Sequence, residues 1–147
     1  MTVLRHFRPE DAEVVRQSLY PDVDDSEAAG MIDEWNAGVW QGKPFEMLAV
    51  LSGGRIVGQA SLLEHSPSVV SAGIEISAAE RNRGLGTGAL AALISLAKEK
   101  GYRVMMNQVR ADNRASIRMH EGLGFESDGY VYRNRQGREV ILFIKPL

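Results

Sequence analysis

The sequence predicts a single α/β domain covering residues 1–147, built on a mixed sheet with helices on both faces. Three observations predict it. The length of 147 residues suits one domain with one sizeable core. Apolar periodicity gives the element order β α α β β β α β α β β, in which strands outnumber helices. Only the βαβα portion in the middle reads as parallel, so the sheet must be mixed.

Each element has a local reason. "TVLRHF" reads as a first strand. Pro9 suits a first helical turn, and Glu10 and Asp11 favour its positive end, so "PEDAEVVRQSL" reads as a helix. Ser26 is a candidate cap for a second helix running to about Trp40. Ala28, Met31, Ile32, Trp35 and Val39 recur along it at helical spacing. "FEMLAVL" and "IVGQASLLEH" are strands, and the tight turn "SGGR" between them makes a hairpin. In "SVVSAGIEIS", Val70, Ala72, Ile74 and Ile76 alternate with Ser71, Gly73, Glu75 and Ser77. Residues 84–100 form a helix that Gly101 ends, with Lys98 and Lys100 at its negative end. "RVMMNQV" is a strand. Asp112 or Asn113 caps a helix through Leu123, which Gly124 stops. "YVYRNRQGREVILFIKP" is a final hairpin turning near Gly137.

Composition bounds the function. Lys and Arg number 17 against 19 Asp and Glu, a net charge of −2. No bulk attraction to nucleic acid or to an anionic membrane is expected. With no cysteine, disulfides, thiolate metal sites and a cysteine nucleophile are excluded. His6, His65 and His120 are too scattered for a metal motif. "MTVLRHFRPED" lacks the apolar run of a signal peptide, and no segment approaches about 18 unbroken apolar residues. A cytoplasmic protein is expected.

"ERNRGLGTGALAALISLAKEKG" carries the chemistry. Three readings of its glycines compete. A plain helix start with close packing is the simplest, although glycines at 84, 86 and 88 weaken a helix N-terminus. "GLGTGA" also fits a dinucleotide fingerprint, but the polar "SAAERNR" separates it from its strand. The third reading is a pyrophosphate cradle. A helix N-terminus offers unpaired N–H groups and a positive dipole end. Glycines admit phosphate oxygens to those donors, and flanking arginines add charge-assisted contacts.

"RNRGLG" at 81–86 matches the pattern R/Q-x-x-G-x-G/A and resembles the coenzyme A signature of the GNAT acetyltransferase superfamily. "NRASIRMHEGLGF" at 113–125 resembles that superfamily's second block, an Asn-capped helix ending in Gly-Phe. The second block looks most like the phosphinothricin and amino-acid N-acetyltransferase branch, which has His at this place. The resemblance implies a GNAT-like fold: a mixed, mostly antiparallel sheet, splayed in the middle, with helices on both faces. It implies acetyl-CoA as co-substrate, no metal, and a primary amine of a small molecule as acceptor. A protein N-terminal or lysine acetyltransferase, or a non-catalytic acyl-CoA-binding module, stays open, as does a homodimer.

Carried over residue by residue, the resemblance implies that Ile76 and Ser77 give backbone groups to pantetheine. A backbone N–H near Ile76 would serve the oxyanion. Backbone N–H groups of Asn82, Arg83, Gly84, Leu85, Gly86 and Thr87 would hold the pyrophosphate, helped by the side chain of Arg81 or Arg83. Asn113 would touch the cofactor arm, with Ser116 one turn on; a plain helix cap explains Asn113 equally. Ala78 stands where relatives often have proline.

Acyl transfer to an amine needs a proton acceptor, an oxyanion donor and an acid for the leaving thiolate. Glu75, the only acid on its strand, is the candidate base; Glu64 and His65 are held in reserve. His120 stands where the family most often has the tyrosine acid, and it shares a helix side with Ile117 and Leu123. A buried structural histidine is the alternative. Met31, Trp35 and Trp40 are expected beside the acceptor cleft or in the core, and Glu34 at the cleft or in solvent.

Overall fold

The apolar alternation at the N-terminus becomes strand β1 (Thr2–His6) in the computed structural model, which describes residues 2–147. A 3-10 turn at Pro9–Asp11 precedes α1 (Ala12–Ser18), so the first predicted helix is split. Asp11 holds that turn. Its carboxylate accepts from Arg8 N–H at 2.7 Å and from the Arg5 guanidinium at 2.7 and 3.1 Å.

The second helix differs from expectation at both ends. α2 spans Asp25–Asn36, and its cap is Asp24, not Ser26. Asp24 accepts from Glu27 N–H at 2.8 Å while Glu27 reaches back to Asp24 N–H at 3.1 Å, a reciprocal capping box. Gly38, at φ +76°, ends the helical run. Val39 and Trp40 then leave the helix and form β2 (Val39–Trp40), paired to β3 (Lys43–Ser52).

β3 turns through Gly53 and Gly54, at φ +59° and +77°, into β4 (Arg55–Ser66). Two consecutive positive φ values are what a tight hairpin needs, and glycine adopts them without strain. β5 (Val69–Ile76) follows, then α3 (Leu85–Glu99), β6 (Val104–Arg110) and α4 (Arg114–Gly122). The closing hairpin is β7 (Tyr132–Arg133) with β8 (Glu139–Pro146), so its first arm is far shorter than the sequence pattern suggests.

The strands form one sheet in the order β1-β3-β4-β5-β6-β8-β7, with β2 against β3. Every neighbouring pair is antiparallel except β5 with β6. That parallel pair lasts only two rungs, Val69↔Val104 and Val70↔Met105. Beyond it the strands part, and the sheet opens in the middle. On one face Leu90, Leu93 and Ala97 of α3 join Val57, Val70, Met105 and Phe143 in the main core. On the other, Val15 of α1 and Ala28 and Ile32 of α2 enclose Phe7 and Ala49. The mixed sheet, the middle splay and the helices on both faces match expectation.

Candidate active site

The turn before α3 answers the glycine question position by position. Gly84 is the N-cap at φ +74°, and Asn82 also takes a left-handed conformation, at φ +64°. Gly88 is a packing glycine, because a Cβ there would strike Thr2 Oγ1 of β1. Gly86 has neither reason: a Cβ would meet only ordinary contact, 3.7 Å from Met119 Sδ. Its bareness leaves approach to the helix end open to a ligand. Among the described residues no side chain caps α3, so its first N–H groups are left open.

The arginines are pre-arranged. Arg81 Nε donates to Ile76 O at 3.0 Å and ties the turn to the end of β5. Glu80 bridges Arg83 and Arg55, the latter at 2.5 Å. Hydrogen bonding from Arg55, with Arg83 beside it, holds the Glu80 carboxyl below the usual carboxylate range. Glu80 is shared by two arginines and Arg81 is bound to a neutral carbonyl, so the turn keeps positive charge.

The gap between β5 and β6 leads away from this turn. Ala72 N–H points across it and donates to Asn107 Oδ1 at 2.8 Å. By the strand's period of two, Ile74 and Ile76 N–H point the same way, and no rung of β6 meets them. They form an open edge that an extended ligand arm can pair with. Ser77 differs from its expected part: its N–H donates to Val57 O at 2.9 Å, on the β4 side and away from the gap. The turn and the gap together offer unpaired backbone donors to an anionic group and, beside it, to an extended arm.

His120 sits beside the gap, buried. Its Nδ1 lies 2.8 Å from Ser116 O, a carbonyl that can only accept, so Nδ1 carries the proton. Nε2 then accepts from Asn107 Nδ2 at 3.1 Å. Burial pushes the ring's pKa down, with the bond to Ser116 O opposing. Both ring nitrogens are engaged. Asn113 caps α4, its Oδ1 accepting from Ser116 N–H at 3.0 Å. Ser116 Oγ lies 3.4 Å from the His120 ring.

Ser71, Gly73 and Glu75 face the opposite side of the sheet, toward α2. A cavity of about 650 Å³ there is lined by Glu34, Trp35, Trp40, Met47, Leu63 and Gly73. Trp35 is braced by Phe7 and Tyr20, with ring centroids 5.0 and 6.0 Å away. Met31 is not among the lining residues. A second cavity of about 870 Å³ adjoins it through Trp40, Leu63, Ser71 and Ala72, reaching Asn107 and His65. His65 Nε2 lies 2.9 Å from Ser71 Oγ.

Glu75 lines neither cavity. Its carboxylate is turned to Gln59 Nε2, 3.4 Å away, and is exposed. Glu64 points to the other face, where it accepts from Tyr102 OH at 2.9 Å. Burial and that bond push the Tyr102 hydroxyl up to about 12.

Sequence reasoning missed Asn107 and Gln59. Each is buried on a strand parity otherwise apolar or small: Asn107 stands between Met105 and Val109. A polar residue at an inward strand position was the available signal. Among the described residues no cluster of His, Asp and Glu could hold a metal, and no helix is long and apolar enough to cross a membrane.

The profile of the acetyltransferase (GNAT) family matches residues 6–125. An L-methionine sulfoximine/L-methionine sulfone acetyltransferase of Pseudomonas paraeruginosa is 34% identical over 94 residues, 60% of this chain and 54% of that protein. The chain thus spans about half the length of the curated relative it matches. A phosphinothricin acetyltransferase of Sinorhizobium meliloti, solved with acetyl-CoA, superposes with a TM-score of 0.72 at 19% identity, over 99% of this chain and 88% of its own. A ribosomal-protein-alanine N-acetyltransferase of Brucella melitensis gives 0.71 at 24% identity, over 99% of both chains. At these identities the two structures speak for the fold.

Proposed function

Because the chain belongs to the acetyltransferase (GNAT) family, we infer that it moves an acetyl group from acetyl-CoA to the primary amine of a small molecule, an amino acid or analogue. The observation that carries this is the order along β5: the cavity at Ser71 and Ala72, the open edge at Ile74 and Ile76, and the α3 turn that Arg81 ties to its end. A diphosphate at the turn, an extended arm in the gap and an amine in the cavity would meet at one place. The partial likeness to a methionine sulfoximine acetyltransferase supports a small acceptor.

Acetyl-CoA supplies an activated thioester. The chain supplies the rest. N–H groups at 82–87 and the Arg81 and Arg83 charges hold the pyrophosphate. Ile74 and Ile76 N–H orient the pantetheine arm, and the one nearer the carbonyl stabilises its oxygen as charge develops. Asn113 and Ser116 flank the arm at the start of α4. The aromatic wall of Trp35 and Trp40 receives the acceptor's apolar part and excludes water. His120 acts by position: with Nδ1–H held by Ser116 O and Nε2 by Asn107, it has no proton free for a departing sulfur. A cytoplasmic location and chemistry without a resident metal belong to the same proposal.

A thiol-release screen with acetyl-CoA against amino acids, polyamines, aminoglycosides and N-terminal peptides tests the function. Release with an amino acid or analogue is expected. Tight CoA binding with no release for any amine would make the chain a binding module instead.

A further inference from the structure

Resting on the acetyl-transfer reading above, we propose that His65, acting through the Ser71 hydroxyl, accepts the proton of the incoming amine, and that Glu75 does not. The first observation is a bulge. β4 pairs Glu64 with Val70 and Ser66 with Val69, leaving His65 as an extra residue without a partner on β5. A bulge bends its strand and re-aims a side chain, and such features gather beside active sites. This one lies level with Val69 and Val70, the last residues of β5 to pair with β6. The ring is therefore re-aimed at the height where the sheet opens.

The second observation is where the ring goes. His65 Nε2 meets Ser71 Oγ at 2.9 Å. Ser71 precedes Ala72, whose N–H is the first on β5 to point into the open gap. The pair thus stands on the acceptor side of the strand whose other edge would hold the thioester.

The third is elimination. Around the cavity that reaches the gap, the charged or ionisable lining residues are His65, Tyr132, Arg133 and Arg135. A guanidinium has no acceptor and a phenol oxygen is a weak base, whereas a neutral imidazole offers a basic ring-nitrogen lone pair. Among the described residues no carboxylate lines this cavity. Glu34 of α2 lines the neighbouring cavity, not this one. Glu75 is turned to Gln59 and Glu64 to Tyr102.

The proton count closes. An ammonium N–H gives its proton to Ser71 Oγ as the Ser71 O–H proton moves to His65 Nε2. The freed amine nitrogen bonds to the carbonyl carbon, the C–S bond breaks, and the sulfur leaves with its electron pair. A second N–H proton goes to that sulfur, giving the thiol, and the imidazolium returns the first to solvent.

The test uses the whole chain and four variants: His65→Ala, His65→Gln, Ser71→Ala and Glu75→Gln. Turnover on the best amine of the screen should fall roughly 10²–10⁴-fold in both His65 variants, the range for a lost general base. Added imidazole should restore part of it to His65→Ala. Glu75→Gln should lose less than about tenfold. CoA affinity by calorimetry should be unaltered in the His65 variants, whose melting temperatures report folding. Independently of activity, ring ¹⁵N NMR should show His65 as the Nδ1–H form, with its Nε2 signal shifting in Ser71→Ala. A His65 variant within about threefold of wild-type turnover overturns the proposal. So does a loss in Glu75→Gln as large as in His65→Gln, or an Nε2–H form of His65 in the wild type. If the wild type releases no thiol with any amine, the acetyl-transfer reading fails by itself, and the NMR result still decides the His65–Ser71 relay.

Discussion

Asn107 and His120 meet at 3.1 Å beside the gap between β5 and β6, the Asn107 amide N–H directed at His120 Nε2. The other end of the same amide accepts Ala72 N–H at 2.8 Å. One side chain thus replaces the next backbone rung, and the ring behind it fixes which way the amide points. The ring is itself held edge-on by Phe125, 4.8 Å between centroids, and by Ser116 O. The clasp sits where the splay begins, just past the Val70↔Met105 rung.

Removing the clasp should disturb cofactor binding before chemistry. Asn107→Leu strands Ala72 N–H and His120 Nε2, a loss of about 1–3 kcal/mol for each buried group left unpaired. The KM for acetyl-CoA should rise more than kcat falls. His120→Phe should lower turnover only in step with melting temperature. Paired measurements of kcat and melting temperature check this; a large fall in kcat for His120→Phe at unchanged stability would return the acid role to the histidine.

His120 also predicts a pH dependence. Its folded pKa lies below the unfolded value, so as pH falls the unfolded chain takes up the proton first. The stability held by the neutral ring is complete above the unfolded value, about 6.5 for a free imidazole. It is lost as pH falls from there toward the folded value. The melting-temperature advantage of wild type over His120→Phe should therefore shrink as pH falls below about 6.5. An advantage that stays constant or grows on acidification would contradict the buried, neutral ring.

Gly88 and Thr2 make a steric pair. Gly88→Ala drives a Cβ into Thr2 Oγ1 and should destabilise by about 1–3 kcal/mol, the usual range for overpacking. Thr2→Ala in the same chain should recover part of that loss. Thermal unfolding of the two single variants and the double variant gives the coupling directly.

How much of this was legible beforehand depends on what kind of force decides each feature. The α3 turn was readable because its glycines and arginines are local. The hairpin at Gly53 and Gly54 was readable for the same reason. α2 was misjudged at its ends, because Val39 and Trp40 continue an apolar helical period that Gly38 interrupts; the strand pairing with Lys43 and Pro44 then takes over. The direction of Ser77 N–H depends on β4 register, which no local pattern carries. Asn107 was invisible as a site residue because its partners, Ala72 and His120, lie 35 and 13 residues away in sequence. The bulge at His65 likewise exists only once β4 and β5 are aligned.

On the proposed function, the bare face of Gly86 receives the coenzyme A pyrophosphate at the start of α3. Calorimetry of CoA binding to wild type and to Gly86→Asp tests it most directly. An aspartate in a first helical turn suits the helix, so the variant should fold with a melting temperature close to wild type. It nevertheless puts a Cβ and a negative charge where the phosphate would sit. The predicted result is wild-type binding of CoA and a loss of about tenfold or more in the variant. Equal CoA affinity in two well-folded proteins would contradict the site, and binding of NAD in place of CoA would restore the dinucleotide reading of the glycines.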